Sequence, residues 1–266
     1  MRDITGRNAA NAEAIASLAK KSGVDLRTVE IDVQSQDSVD KGVAKVIADT
    51  GRIDVLIHNA GHMVFGPAEA FMPEQYAYLY DVNVLSTQRV NRAVLPHIRR
   101  QKQGLLVWVS SSSSAGGTPP YLAPYFGAKA AMDAIAVQYA RELSRWGIET
   151  SIIGPGAFTS GTDFAHSGNR PMKRLSANMT RGLMRGSASM CRKPSRPSCR
   201  LMLTPQLWRM RSCRWSTRPF GKRPFRVHID PTEDGASVGF TVLDRVRAEM
   251  LHRVGLSDLL KPAARV

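Results

Sequence analysis

Apolar positions along the first 155 residues alternate between two periods. In residues 8–21, Ala9, Ala12, Ile15, Leu18 and Ala19 fall at helical spacing, and Gly23 follows where a helix would stop. Residues 26–33 change to a period of two, with Val29, Ile31 and Val33 on one face, which predicts a strand with Asp32 near its carboxyl end. The alternation then repeats. A helix is expected over 38–49, with Val39, Val43, Val46 and Ile47 on one stripe and Gly51 behind it, then a strand over 53–57 that breaks into His58-Asn59-Ala60-Gly61. A helix of uncommon length is expected from about residue 73 to 100, with Tyr76, Leu79, Tyr80, Val84, Leu85, Val90 and Val94 among its apolar positions. The strand Leu105-Leu106-Val107-Trp108-Val109 leads into five serines, Ser110 to Ser114, and a helix that ends near Trp146 at Gly147. A further strand over 148–153 ends at Gly154-Pro155-Gly156.

Strands that alternate with helices indicate right-handed βαβ units, and so an α/β fold: a doubly wound, Rossmann-like parallel sheet covered on both faces. Ligands in such folds sit at the carboxyl ends of the strands. Asp32, Asn59 to Gly61, the serine run and Pro155-Gly156 all stand at such ends.

One pair of residues on this rim suggests chemistry. Pro119, Pro120 and Pro124 hold the connection after the serines out of helix, and Pro124 suits a first helical position because its missing N–H would have had no partner there. Tyr125 then falls in the first turn and Lys129 follows four residues later on the same face. An ammonium group and a helix amino end both favour the anion of a nearby phenol, which suits a general acid or base.

Composition localises the charge. The 266 residues carry a formal net charge of +15, which by itself suggests an acidic partner. Between Asp163 and Asp230 there is no acidic residue and there are sixteen Lys and Arg; without them 21 basic residues face 22 acidic ones. The basicity therefore belongs to one stretch. No run of about 18 apolar residues occurs and the start is polar, so a cytoplasmic protein is expected. Three cysteines, Cys191, Cys199 and Cys213, fit neither a disulfide framework nor a common zinc spacing, and no metal is expected.

Taken together, Asn59-Ala60-Gly61, Asn83 within Asp81-Val82-Asn83-Val84, the serine run, Tyr125 with Lys129, and Pro155-Gly156 resemble the short-chain dehydrogenase/reductase family in order and spacing. The resemblance covers residues 1 to about 160. It implies hydride transfer between NADP(H), with NAD as the alternative, and an alcohol or carbonyl substrate. Tyr125 would be the acid/base, Lys129 would lower its pKa and hold the nicotinamide ribose, and a serine would polarise the carbonyl. Ser112, thirteen positions before Tyr125, has the usual spacing, with Ser111 as its rival. Asn83 would bind a water linking Lys129 to solvent. Asp32 and Val33 would face the adenine ring, Asn59, Ala60, Gly61, Pro155 and Gly156 would line the cofactor, and Thr159 would meet the carboxamide. His58 stands where Asn is commoner. Sugar epimerases and dehydratases share Y-x-x-x-K but have longer chains. Family members often pair through two long helices, here 76–98 and 128–143, as a homodimer or homotetramer, although burial within one chain explains the same stripes.

Two departures qualify this. The family begins with a strand, a T-G-x-x-x-G-x-G turn, a helix and a second strand, and this chain is expected to be truncated before them, keeping at most the end of that second strand at Met1-Arg2-Asp3. Arg2 then matches a position that reads the 2′-phosphate of NADP. The loss of central strands predicts a gap or a repacked sheet with exposed edges, poor stability and weak nicotinamide binding. Secondly, residues 169–216 hold all three cysteines, Trp208 and Trp215 without apolar period, which suggests translation out of frame between two normal stretches. Residues 1–266 are read as one domain: a matched core over 1–165, the anomalous basic segment over 166–225, and a strand over 226–229 and helix over 235–254 within 226–266. The competing functions are a catalytically impaired remnant or interaction module and, less favoured, a basic arm for nucleic acid.

Overall fold

The computed structural model describes residues 2–6 (backbone only), 17, 19–23, 25–117, 119–156, 218–230 and 233–264. Every strand pairing in it is parallel, and the strands form two sheets. Strand β1 (Arg2–Gly6) pairs with β2 (Leu26–Glu30), Arg2 opposite Leu26 and Gly6 opposite Glu30. Strands β3 (Val55–His58), β4 (Gly104–Val109), β5 (Ile148–Pro155) and β6 (Arg226–Ile229) form a second sheet in that order.

The first strand corrects one expectation. Residues 1–3 do not end a lost strand: β1 runs on to Gly6, because each of its residues finds a partner along β2. Arg2 therefore opens the strand. At about 3.3 Å per residue it stands some 13 Å from the carboxyl end where ligands gather, so it is not placed to read a phosphate there.

The expected gap is present. Among the described residues no pairing joins β1 or β2 to β3, and β3 is bonded on one side only. What unites the two sheets is a shared apolar layer and one polar bridge. Val29 and Ile31 from the β2 side pack in one cluster with Val39 and Val43 of α1 (Gln36–Thr50), Val94, Leu95 and Ile98 of α3 (Ser86–Gln101), Leu106 and Trp108 of β4, and Met132, Ala136 and Val137 of α4 (Ala123–Ser144). Helix α1 is set by its ends: Ser35 accepts from the Ser38 N–H, and Gly51 closes it at φ 75°. The bridge is Asp81, which accepts from Gln34 Nε2 at 3.0 Å and from Arg89 Nη2 at 2.6 Å. Arg89 also donates to the Val33 carbonyl. Burial raises the Asp81 carboxyl, but the Gln34 amide and the Arg89 guanidinium together outweigh it and hold the group below its usual range.

The opposite face is unevenly covered. Leu105, Val107, Ile153 and Ile229 are buried together there. Strand alternation turns Leu56 and His58 toward the shared layer and Val55 and Ile57 away from it, and those two are 48% and 57% exposed. Bare apolar side chains beside an unpaired strand edge are what a sheet with a strand position left unfilled must show.

Among the described residues helix boundaries match the periodicity closely, with one informative difference; most of the helix expected over 8–21 lies outside them. The long helix expected over 73–100 is α2 (Pro73–Tyr80), a π-turn over Asp81–Leu85, and α3. A π-turn inserts one residue into the helical repeat and is often found at functional sites. Here it surrounds Asn83.

A buried ion cluster ties the carboxyl end of β4 to the last elements. Arg226 makes two bonds to Asp133, at 2.7 and 3.1 Å, and two to Asp244 of α5 (Ala236–Arg253), at 2.7 and 3.2 Å. Asp133 also accepts from Ser110 Oγ at 3.0 Å. Asp133→Ala leaves a buried guanidinium half-paired and a buried hydroxyl without its acceptor, and is expected to destabilise the protein by about 3 kcal/mol. Denaturant unfolding checks this; a loss below about 1 kcal/mol would mean that Asp244 alone compensates the charge.

Candidate active site

The carboxyl ends of β3, β4 and β5 form one rim, and four predicted residues meet on it. Ser111 follows β4 and caps a 3-10 turn over Ser112–Ser114, its hydroxyl accepting from the Ser113 N–H at 3.2 Å. Pro124 lies in the first turn of α4, so Tyr125 comes at the start of that helix. Its hydroxyl is hydrogen-bonded to Ser111. The thirteen-residue spacing had favoured Ser112, but Ser112 begins the 3-10 turn and the serine that reaches the phenol is one position earlier. Two adjacent residues at a strand end point different ways, so counting alone did not separate them.

Lys129 is buried beside the tyrosine. Its Nζ donates to the Val109 carbonyl at 2.8 Å and lies 5.9 Å from the Tyr125 ring centroid. Burial pushes its pKa down from 10.5 to about 8. Burial also pushes the Tyr125 phenol up, with the Ser111 hydrogen bond pulling the other way. The net direction is upward, so the lowering of the phenol expected from the lysine is not found in this arrangement.

The lysine shift has a consequence for stability. Between pH 8 and 10.5 the folded chain holds fewer protons on Lys129 than the unfolded chain does, so unfolding free energy should rise with pH across that window. The gain over the full window is about 3 kcal/mol. Comparing wild type with Lys129→Met cancels the other groups; equal pH dependence in both would show that Lys129 titrates normally.

Asn83 completes the group. Its Nδ2 donates to the Leu79 and His62 carbonyls at 2.9 and 3.0 Å. Its Oδ1 is buried and accepts no hydrogen bond among the described residues. A Cβ on Gly61 would stand 2.5 Å from that oxygen and 3.9 Å from Lys129 Nζ, so only glycine fits between them. Asn59, Ala60 and Gly61 are exposed on the rim, while His58 is turned inward. There its Nε2 bonds Asn91 Oδ1 at 2.8 Å and its ring lies 4.3 Å from that of Trp108. Burial pushes the His58 pKa down to about 4, so it is neutral near pH 7 and has a packing role.

The remaining predicted positions divide. Pro155 ends β5 and Gly156 follows it, both half-buried on the rim. Asp32 binds its own turn, accepting from the Gln34 N–H at 3.0 Å, and Val33 follows it within that turn. Thr159, the three cysteines and the segment 169–216 lie outside the described residues. The sequence reading missed Ser110, Asp133 and Arg226, which fix the base of the serine loop. The available signal was an aspartate four residues after Lys129 on a largely apolar helix.

An orphaned buried oxygen, a glycine cradle and a buried lysine beside a tyrosine fit the nicotinamide half of a dinucleotide. The phosphate half has no counterpart, since no T-G-x-x-x-G-x-G occurs in the 266 residues. Among the described residues, His228, Asp230 and Asp234 bring potential metal ligands within 4.8 Å of one another. Both carboxylates already serve backbone groups, Asp230 the Asp234 N–H and Asp234 the Ala236 N–H.

Comparison with known proteins agrees with this geometry. Residues 3–172 match the family described as short chain dehydrogenase. An uncharacterized oxidoreductase of Schizosaccharomyces pombe is 34% identical over 160 residues, 59% of this chain and 64% of that protein. Gluconate 5-dehydrogenase of Gluconobacter oxydans is 32% identical over 157 residues, covering 59% and 61%. The crystal structure of a gluconate 5-dehydrogenase from Burkholderia cenocepacia, in complex with NADP and tartrate, superposes with a TM-score of 0.56 at 27% identity, covering 61% of this chain and 62% of that one. The chain thus spans under two thirds of the length of these relatives, and its α/β fold agrees with theirs: it belongs to the short-chain dehydrogenase family of oxidoreductases.

Proposed function

We propose that the chain carries the proton-transfer half of a hydride-transfer site that acts between NADP(H) and an alcohol or carbonyl. The observation that carries this reading is the Ser111–Tyr125 hydrogen bond beside a buried Lys129, all on the rim. NADP(H), when bound, supplies or accepts the hydride. The Tyr125 hydroxyl gives a proton to the substrate oxygen in reduction and takes it back in oxidation. Ser111 Oγ holds the same oxygen and polarises it. Lys129 holds the ribose and favours the tyrosinate, and Asn83 Oδ1 anchors a water that passes protons from Lys129 to solvent.

NADP is tried before NAD because the gluconate 5-dehydrogenase structure from Burkholderia cenocepacia to which the chain is similar holds NADP. The relatives' gluconate chemistry makes polyhydroxy and keto acids the first substrates to try.

A second reading has its own observation. The divided sheet, bare Val55 and Ile57, and a chain without a glycine-rich turn favour a protein that keeps the reacting groups but holds the cofactor weakly. A nucleic-acid arm rests wholly on residues outside those described. Pairing through 76–98 and 128–143 would have to use Tyr76, Tyr78, Tyr80 and Leu85, since Leu79, Val84, Val94, Ile98, Met132 and Val137 are buried within the chain itself. Among the described residues no helix is long and apolar enough to cross a membrane. The two catalytic readings separate on NADPH oxidation with a panel of ketones, aldehydes and keto acids. Turnover that saturates with micromolar NADPH supports the first, and turnover that rises linearly into the millimolar range supports the second.

A further inference from the structure

Tyr125, Lys129 and Asp133 stand four residues apart along one face of helix α4. The first two belong to the rim. Asp133 lies about 12 Å further along the helix than Tyr125, and its side chain is 6% exposed. There its Oδ1 accepts from Ser110 Oγ at 3.0 Å and from Arg226 Nη1 at 2.7 Å, so one carboxylate oxygen joins the start of the serine loop to the last strand. Ser110 Oγ is also 3.2 Å from Ser114 Oγ, which closes the loop on itself. The far end of the loop is held by the Gly117 N–H, which donates to the Asp234 carbonyl at 2.9 Å. Helix α5 presses on the same loop: a Cβ at Gly239 would stand 2.3 Å from the Ala115 carbonyl oxygen, and one at Gly116 would stand 2.6 Å from the Ala236 Cβ.

We propose that Ser110, Asp133 and Arg226 are positioning residues that hold Ser111 in its hydrogen bond to Tyr125. Tyr125 rides on α4, and Ser111 follows a residue tied to the same helix, so both partners of the bond are referred to one rigid element. A run of five serines has no apolar side chain to seat it. Consecutive residues at a strand end turn different ways, so a small slip at Ser110 redirects the Ser111 hydroxyl. Arg226 keeps the Asp133 carboxylate in place. It gives two bonds to Asp133 and two to Asp244, its side chain is 7% exposed, and its guanidinium carbon lies 4.2 Å from the centre of the Phe240 ring. A buried ion cluster is often no more stabilising than apolar side chains of the same volume, so what this one supplies is a fixed place for the loop. The consequence for turnover rests on the function proposed above; the placement of Ser111 does not.

Fluorine NMR of the 266-residue chain carrying meta-fluorotyrosine reads the placement without substrate or cofactor, and Tyr125→Phe assigns the resonance. Ser111→Ala removes the hydrogen bond that opposes burial and should move the Tyr125 titration midpoint up. Ser110→Ala leaves Asp133 paired with Arg226, so the fold is kept, and should move the midpoint in the same direction. The double variant should go no further than Ser111→Ala, because Ser110 acts through Ser111. Asp133→Asn keeps an Oδ1 acceptor for the Ser110 hydroxyl but loses the charge, and should lower stability to denaturant while moving the midpoint less than Ser110→Ala does. With reduced nicotinamide mononucleotide as hydride donor, Ser110→Ala should lower kcat about tenfold with KM little changed. An unmoved midpoint or an unchanged kcat in Ser110→Ala, additive shifts in the double variant, or shifts that follow lost stability instead of the lost hydroxyl would each overturn the proposal. The expected midpoints in a chain without turnover would uphold the placement of Ser111 and count against the function proposed above.

Discussion

Purified 1–266 protein titrated with NADPH is expected to bind with a Kd of about 0.1 mM or weaker. A dinucleotide is anchored chiefly by its pyrophosphate, which approaches backbone N–H groups at a helix amino end across a glycine-rich turn. No such sequence lies within the 266 residues, and the contacts proposed for the nicotinamide side of the rim, those of Tyr125, Lys129, Asn83, Gly61 and Pro155-Gly156, would not replace it. Losing about 3 kcal/mol of phosphate binding corresponds to about a hundredfold in Kd. A strand, glycine-rich turn and helix joined ahead of residue 2 should recover that factor. The added strand has a place beside β3, whose edge is unpaired, and its helix would cover Val55 and Ile57. Binding of a hydrophobic dye should fall at the same time. Low-micromolar binding by 1–266 alone would contradict this account of the phosphates.

The second large effect concerns the rim itself. In the extended protein, Tyr125→Phe should lower kcat for carbonyl reduction by about a thousandfold with little change in KM. The lost interaction is the proton given to the developing oxyanion, which is made in the transition state alone. Ser111→Ala should cost about a hundredfold, because its hydroxyl faces the same oxygen. Ser112→Ala should stay within about threefold, since that residue serves the 3-10 turn. Steady-state kinetics on the three variants decides between the serines; a larger loss for Ser112→Ala would return the role to the position that spacing favoured.

Much of this arrangement was legible in the chain. The change from a period of two to helical spacing located β2 to β5, α1, the long helical run and α4 within a few residues, since each element buries one face in the shared layer. Tyr125 and Lys129 were found because four residues make about one turn, and Asn59-Ala60-Gly61 because a strand that breaks into glycine marks a rim. Three features were less accessible, each for a physical reason. Ser111 and Ser112 differ only in which way consecutive residues turn, which a 3-10 turn decides. The π-turn at Asn83 leaves the apolar stripe almost unchanged on either side. β1 is five residues long and is made a strand by pairing with β2, so nothing local showed that it continues past residue 3 or that Arg2 stands at its far end. The same long-range dependence hid Arg226, a basic residue at the start of a short strand that is charged, buried and satisfied by aspartates 93 and 18 positions away.

The most direct test uses the 266-residue chain as it stands with a hydride donor that has no pyrophosphate to anchor. Reduced nicotinamide mononucleotide, at millimolar concentration, presents the nicotinamide and ribose to the rim without the adenylate half. If the rim is the proton-transfer half of a hydride-transfer site, carbonyl reduction with this donor should run within about tenfold of the rate with equal NADPH, and Tyr125→Phe should abolish both. Turnover that is the same in wild type and Tyr125→Phe would contradict the assignment of the acid/base to this tyrosine.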